Sequence, residues 1–553
     1  MSNTITLCFV PTATSQWRTA RRSKNLVSNQ FRNSEVLITK HSSFRDQLYI
    51  EKHAQKLKQF KHTLRNVSED SLKGLNFIDD VQRLNIDYHF REEIEEFLDR
   101  QYVISSSHGE YGCNLSEVAL CFRLLRQHGY NVPADVFDKF IDVEGKFNRE
   151  LGEDIKGMMA LHEASHLSIP GEDILDEAGQ FSSQVLNQKL PYLDHNQGRL
   201  VRNTLQHPFH KSFAMFMARK FSVDLNERTN GLQEVAKVDF KLVQSIHQDE
   251  LNQISKWWRD LGAKELKFAR DEPLTWYMLS MGCLTDPSLS EERVELTKSI
   301  SFIYTIDDIF DIYGTLDELN LFTEAVNRWD IDAIEHLPDY MKICFKALYD
   351  LTNQISYKVY QKHGWNPIDS LRKTWANMCN AFLVEAKWVA SGKLPKADEY
   401  LKNGIMSSSA QIMLVHSFFL LGQDITKERV QILDRNPSII SSPATLLRLW
   451  DDLAGSNSKD EKEKEYDGSY VKYYMMENEG CSLERARKHV MSMISHEWKC
   501  LNQNYLLENQ FPATFITTSL NFSRMLPLVF YHNEKQRLPD LEEFVQLLLG
   551  DSF

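Results

Sequence analysis

Residues 303–314 read Ile303-Tyr304-Thr305-Ile306-Asp307-Asp308-Ile309-Phe310-Asp311-Ile312-Tyr313-Gly314. Three carboxylates stand inside an apolar run, and burying such groups is costly unless something positive holds them. The apolar residues Ile303, Ile306, Phe310 and Tyr313 recur at helical spacing. At roughly 100° per residue, Asp307 and Asp311 fall one turn apart on one helix face, with Asp308 beside them. A one-sided row of hard oxygen donors suits Mg²⁺, which takes one or two carboxylates and leaves its other positions to water and substrate phosphates. The stretch predicts a helix and a metal-dependent site for a phosphorylated substrate.

The same helical spacing runs outward from this segment. Phe77, Val81, Leu84 and Tyr88 follow it, as do Leu120, Leu124 and Leu125, while strand-like alternation is scarce. The chain therefore reads as all-α. Gly129-Tyr130-Asn131-Val132-Pro133 and Ile169-Pro170-Gly171 punctuate shorter helices in the first half. The polar, turn-rich segment Asp224–Gly231 suggests a boundary between a helical domain over 35–225 and a second over 226–553. With 553 residues, the chain is long enough for two sizeable cores. The charge run over 456–469 reads as a solvated loop.

Residues 1–34 differ in character. They hold ten Ser or Thr, the cations Arg18, Arg21, Arg22, Lys24 and Arg32, and no acid before Glu35. Such an arm resembles an organellar transit peptide, which points to a plastid, with the cytoplasm as the alternative. The net charge of −13 argues against a nucleic-acid surface. Eight cysteines without a CxxC pair read as reduced thiols, and no stretch of 18 purely apolar residues suggests a membrane span.

A second acid pair follows an apolar helical run at Leu446-Leu447-Arg448-Leu449-Trp450-Asp451-Asp452-Leu453. Arg448 shares a helix face with Asp451 or Asp452. A guanidinium beside metal ligands can fork onto phosphate oxygens, although an intrahelical ion pair would look the same. His162-Glu163-Ala164-Ser165-His166 matches HExxH, but no third zinc ligand stands at a recognised spacing.

Taken together, the motifs resemble those of the plant class I terpene synthases along most of the chain. The resemblance rests on LNFIDDVQRLNIDYHF over 75–90, FRLLRQHGY over 122–130, LKFARD over 266–271 and DDIFDIYG over 307–314. It implies two all-helical domains, the C-terminal one a catalytic barrel, and a monomer. It also implies three Mg²⁺ ions, or Mn²⁺ in their place, clamping a prenyl diphosphate. Asp307 and Asp311 would bridge two metals with Asp308 in support, and Arg270 and Arg448 would bind the diphosphate. Trp276, Tyr277, Tyr304 and Tyr531 are candidates to face a carbocation, or else to pack the core.

Three departures from the family pattern carry information. The second metal motif fits poorly when counted from Asp451, because Gly455 and Lys459 fall where a hydroxyl and Glu belong. Counting from Asp452 gives Ser456 and Asp460. Alternatively, Asp451 stays a ligand and a bulge brings in Ser456 with Asp460 or Glu461; we favour the bulge. The family's Arg-x-Arg becomes Arg270-Asp271-Glu272, and its Arg-Arg-x8-Trp becomes Arg21-Arg22 followed by Phe31. These weakened versions resemble the subgroup making acyclic alcohols, linalool or nerolidol. An acyclic olefin, a cyclic mono- or sesquiterpene, a chain-elongating prenyl transferase and a catalytically silent helical partner are the alternatives. The choice between geranyl and farnesyl diphosphate stays open.

Overall fold

In the computed structural model, residues 44–66, 71–108, 111–222, 230–261, 266, 268–455, 468–508 and 510–530 are described. The basic arm, Ser456, Asp460, Glu461 and Tyr531 lie outside the described residues. The all-α reading holds: among the described residues no β-strand forms, and Ile141 and Phe147 make a lone bridge.

The chain divides into two compact units. One consists chiefly of His41–Gln244 and Asn502–Asn509. Its helices are α1 (Phe44–Asn66), α2 (Ser71–Arg83), α3 (Arg91–His108), α4 (Leu115–Gln127), α5 (Ile155–Ser165), α6 (Asp173–Lys189), α7 (His195–Gln206) and α8 (Ala214–Ser222). The long helix α9 (Asn230–Asp260) begins there and runs on into the second unit. The core gathers the apolar stripes of these helices, with Ile78, Val81, Phe90, Phe122, Leu124, Leu125 and Leu161 fully buried. Polar side chains start the helices where the sequence supplies them. Asn114 accepts from the amide of Glu117 at 3.0 Å, and Asp154 from that of Gly157 at 2.9 Å.

The second unit is built mainly from Ser245–Leu501. Its helices are α10 (Pro273–Cys283), α11 (Ser290–Asp308), α12 (Leu316–Arg328), α13 (Asp339–His363), α14 (Ile368–Ser391), α15 (Ala397–Ser407) and α16 (Ala410–Leu421). There follow α17 (Lys427–Leu433), α18 (Ser438–Gly455), α19 (Tyr470–Glu477), α20 (Leu483–Gln503) and α21 (Ala513–Phe530). Helices α10, α11, α16 and α18 are its most buried members, and α10, α11 and α16 are packed on nearly all sides. A capping box formed by Thr315 and Glu318 starts α12 immediately after the acidic segment.

One stretch departs from the expectation about apolar runs. Ala397–Leu421 reaches the length and mean hydropathy of a membrane span. However, 89% of its apolar window is buried inside the unit, and the chain breaks at Ser409, whose φ is +61°. It is a pair of core helices by packing.

A buried ion pair ties α9 to α11. Arg293 and Glu250 are both fully buried, and the guanidinium donates to the two carboxylate oxygens at 2.8 and 2.7 Å. Arg293 also donates to the carbonyls of Leu284 and Pro287 at 2.9 and 3.1 Å, and Tyr277 donates to Glu250 at 2.6 Å. Removing one partner leaves a buried charge uncompensated. Glu250→Ala is expected to destabilise this unit by about 3–5 kcal/mol in urea unfolding; a loss below about 1 kcal/mol would show that the network carries little of its stability.

Candidate active site

Helix α11 carries Asp307 and Asp308 at its C-terminal end, and both are buried at 2% exposure. The α-helix stops there. Ile309–Tyr313 forms a π-helical turn, closed by the Gly314 amide donating to the Ile309 carbonyl at 2.8 Å. The wider turn offsets Asp311 from the regular α-helical position expected from the sequence spacing. It also turns Ile312 and Tyr313 outward, 51% and 41% exposed, where the sequence suggested a continuing apolar run.

One cation serves these acids directly. The Arg270 guanidinium pairs with Asp307 and lies 2.9 Å from Asp308 Oδ1, while the Arg270 amide donates to Asp308 Oδ2 at 2.8 Å. The guanidinium also covers the Tyr304 ring, 4.9 Å from its centroid. Asp307 Oδ1 is buried without a hydrogen-bond partner. Burial pushes the Asp307 carboxyl up to about 7 against the opposing pull of Arg270, and Asp308 adds to the rise. Burial and the Asp307 charge hold Asp311 well above the usual carboxylate range. Among the described residues, the site has more acid than Arg270 can neutralise.

The second acid pair sits on α18. Arg448 is completely buried. It donates to Ser407 Oγ at 3.0 Å and lies 3.5 Å from Asp451 Oδ2, while its Nε is buried without a partner. Gly404 makes room for it, since a Cβ there would fall 2.9 Å from Arg448 Nε. Asp451 and Asp452 have different surroundings. Asp452 Oδ1 accepts from the Tyr400 hydroxyl at 2.9 Å and Oδ2 from the Tyr470 amide at 2.9 Å, and the residue is buried. Asp451 has a side chain that is 24% exposed.

Glu385 on α14 links the two sides and escaped the sequence reading. It is buried and accepts from Ser407 Oγ at 2.8 Å and Asn403 Nδ2 at 3.0 Å. Its charge raises Asp307 and Asp311, and Arg448 stabilises it in turn. Burial is nonetheless the largest influence and raises its own carboxyl. The signal was available: Phe382-Leu383-Val384-Glu385 places an acid in an apolar helical run, as in the Asp307 segment.

The aromatic candidates divide by contact. Trp276 is buried on α10, edge-on to Trp258 at 4.8 Å and 6.5 Å from Tyr304 between ring centroids. Tyr277 has its hydroxyl in the Glu250–Arg293 network. In the other unit, the HExxH residues 162–165 lie on α5, and His166 is its C-cap. Glu163 accepts from the Phe209 amide at 2.7 Å and faces Arg83 at 3.5 Å, while burial holds His162 down at about 4. That glutamate is engaged by protein groups.

A buried arginine-guarded acid set fits a divalent cation: Asp307 Oδ1 lacks a partner, and burial together with the Asp307 charge raises Asp311. Comparison with known proteins agrees. Residues 259–500 match the family model described as "Terpene synthase family, metal binding domain", and 26–205 that described as "Terpene synthase, N-terminal domain". A "Probable terpene synthase 13" from Ricinus communis is 53% identical, covering 90% of this chain and 88% of that protein. An "(E)-nerolidol synthase TPS18VF" from Cannabis sativa is 48% identical, covering 95% and 96%. The crystal structure of grey poplar (Populus x canescens) isoprene synthase, in complex with three Mg²⁺ ions and dimethylallyl-S-thiolodiphosphate, superposes with a TM-score of 0.85. It is 35% identical and covers 91% of this chain and 96% of that one. The chain belongs to the plant terpene synthase family and is an enzyme of that class.

A carboxyl lifted from 3.8 to about 7 sets a pH dependence. Between those values the unfolded chain has released a proton that the metal-free fold still holds, so rising pH costs the metal-free fold stability. Cation binding needs the charged form, so the apparent Mg²⁺ affinity is expected to rise from pH 6 to pH 8 in calorimetric titration. An affinity independent of pH across that window would contradict the assignment.

Proposed function

We propose that this terpene synthase ionises geranyl diphosphate, or farnesyl diphosphate, and releases an acyclic alcohol such as linalool or nerolidol. The observation that carries the reading is the pair of acidic segments on either side of Glu385, each with its own arginine, Arg270 partly buried and Arg448 fully buried. Asp307 and Asp311 on one side, and Asp451 with Ser456 and Asp460 on the other, would hold Mg²⁺, three ions in all, with Asp308 in support. Choosing Asp451 over Asp452 rests on the hydrogen bonds from Tyr400 and Tyr470 that Asp452 already accepts. Bound Mg²⁺ supplies positive charge to a departing diphosphate.

The chain's own groups perform the remaining work. Arg270 and Arg448 bind and orient the diphosphate, and their charge stabilises the leaving group as the allylic C–O bond breaks. Arg270 pairs with Asp307 and Asp308, so a substrate diphosphate must compete with them for its guanidinium. Trp276 and Tyr304 offer ring faces to the allylic cation, at roughly 0.5–2 kcal/mol each. Exclusion of bulk water delays capture of that cation. One admitted water then adds to the tertiary carbon, and the released diphosphate takes the proton. The replacement of the second arginine by Glu272 and the relationship to a nerolidol synthase support an acyclic alcohol. Relatives named tricyclene synthase, 45% identical, favour a cyclic product as the second reading. The acid-free basic arm supports a plastid, as do relatives whose names include "chloroplastic".

Incubating purified protein with geranyl and farnesyl diphosphates plus Mg²⁺ is expected to give linalool and nerolidol respectively by gas chromatography. Olefins or cyclic terpenes as main products would overturn the alcohol assignment. Asp307→Ala is expected to lower turnover by at least ~10²-fold, as loss of a preorganised charge stabiliser does. Unchanged turnover with Mg²⁺ present would remove Asp307 from the site.

A further inference from the structure

The unit built from His41–Gln244 holds a second group of metal-ligating side chains, and the family chemistry does not use it. His53 on α1, His89 in the turn Asp87–Phe90 and Asp239 on α9 each point one donor atom at a common place, all within 4.8 Å of one another. His89 Nε2 lies 2.6 Å from Asp239 Oδ1, and His53 Nε2 lies 3.7 Å from the same oxygen. The imidazoles meet edge-on, with centroids 5.6 Å apart. His53 and Asp239 have side chains only 6% exposed.

Two details separate this group from an ordinary hydrogen-bonded contact. His53 Nε2 is buried without a hydrogen-bond partner, because 3.7 Å is too long for one. Buried imidazole nitrogens are normally satisfied. The other carboxylate oxygen, Asp239 Oδ2, accepts from the Tyr88 hydroxyl at 2.6 Å. A hydrogen-bonded support behind a ligating carboxylate is the arrangement that orients metal ligands.

We propose that His53, His89 and Asp239 form a structural site for Zn²⁺ or a similar borderline divalent metal, separate from the acidic catalytic residues. With bonds of about 2.0–2.1 Å to nitrogen and oxygen, tetrahedral donors stand roughly 3.3 Å apart. The two observed separations, 2.6 and 3.7 Å, bracket that value. Small side-chain rotations therefore open a place for the ion, and water takes the fourth position. Two imidazoles select zinc-like ions over Mg²⁺ or Ca²⁺, which prefer all-oxygen shells. The ligands come from three segments far apart in sequence, so the ion cross-links α1, the Asp87–Phe90 turn and α9 within this unit. Lys56 and Glu234 pair between α1 and α9 as well, so these helices are already held in reach.

The test uses the full chain, stripped with chelator and kept in saturating Mg²⁺ to fill the acidic site. Titration with Co²⁺ is expected to give one tightly bound equivalent with the visible absorption of a four-coordinate ion bearing nitrogen ligands. Zn²⁺ should displace it and raise the thermal unfolding midpoint. His53→Ala and His89→Gln should abolish both effects. Tyr88→Phe should weaken binding about 10–100-fold, and Asp307→Asn should leave this equivalent intact. Circular dichroism identifies which variants fold, and either histidine variant alone suffices. Folded histidine variants that bind Co²⁺ like the parent, or a parent that binds none in the presence of Mg²⁺, would overturn the proposal and leave a hydrogen-bonded contact.

Discussion

An excess of buried negative charge is the constraint on which the catalytic unit depends. Asp307, Asp308 and Glu385 are nearly inaccessible to water, Asp311 lies within their field, and among the described residues Arg270 and Arg448 are the cations that reach them. Desolvation opposes ionisation of Asp307, Asp311 and Glu385, and repulsion from neighbouring carboxylates adds to the rise of Asp307 and Asp311. A fold that keeps such a cluster beside a guanidinium gains little by it in stability. The arrangement fits added positive charge, which the proposed diphosphate with its metal would bring.

Much of the surrounding structure serves to hold the second acid segment still. Gly404 gives up its side chain so that Arg448 can lie against α15. Ser407 binds Arg448 and Glu385 at once, and Asn403 binds Glu385. Tyr400 and the Tyr470 amide fix Asp452, and through it the orientation of neighbouring Asp451. The break at Ser409 lets α15, which buries one face, be followed by the almost wholly buried α16. A continuous helix could not deliver both Gly404 to Arg448 and the apolar α16 to the centre.

Fold class was legible because helical periodicity is written in many residues at once, and the Asp307 segment was legible because acids are conspicuous among apolar neighbours. The π-helical turn after Asp308 was not. Turn width depends on which carbonyl each amide chooses, as in the bond from Gly314 to Ile309, and no residue type encodes it. Trp276 and Tyr277 are adjacent and chemically alike in sequence; only their contacts separate a ring beside Tyr304 from a hydroxyl bound to Glu250. Glu385 was overlooked as an isolated acid, since its partners Asn403 and Ser407 lie 18 and 22 residues away. The His53, His89 and Asp239 group spans distances no spacing rule covers.

The central claim is that the Asp307 segment and the Arg448 segment act on one shared ligand. A double-mutant cycle measures this directly, with Asp307→Asn and Arg448→Met read by Mn²⁺-dependent binding of inorganic diphosphate. Shared engagement predicts a coupling of about 0.5–3 kcal/mol between the two substitutions. Strictly additive losses, within about 0.3 kcal/mol, would mean that the two segments bind independently and would contradict the account.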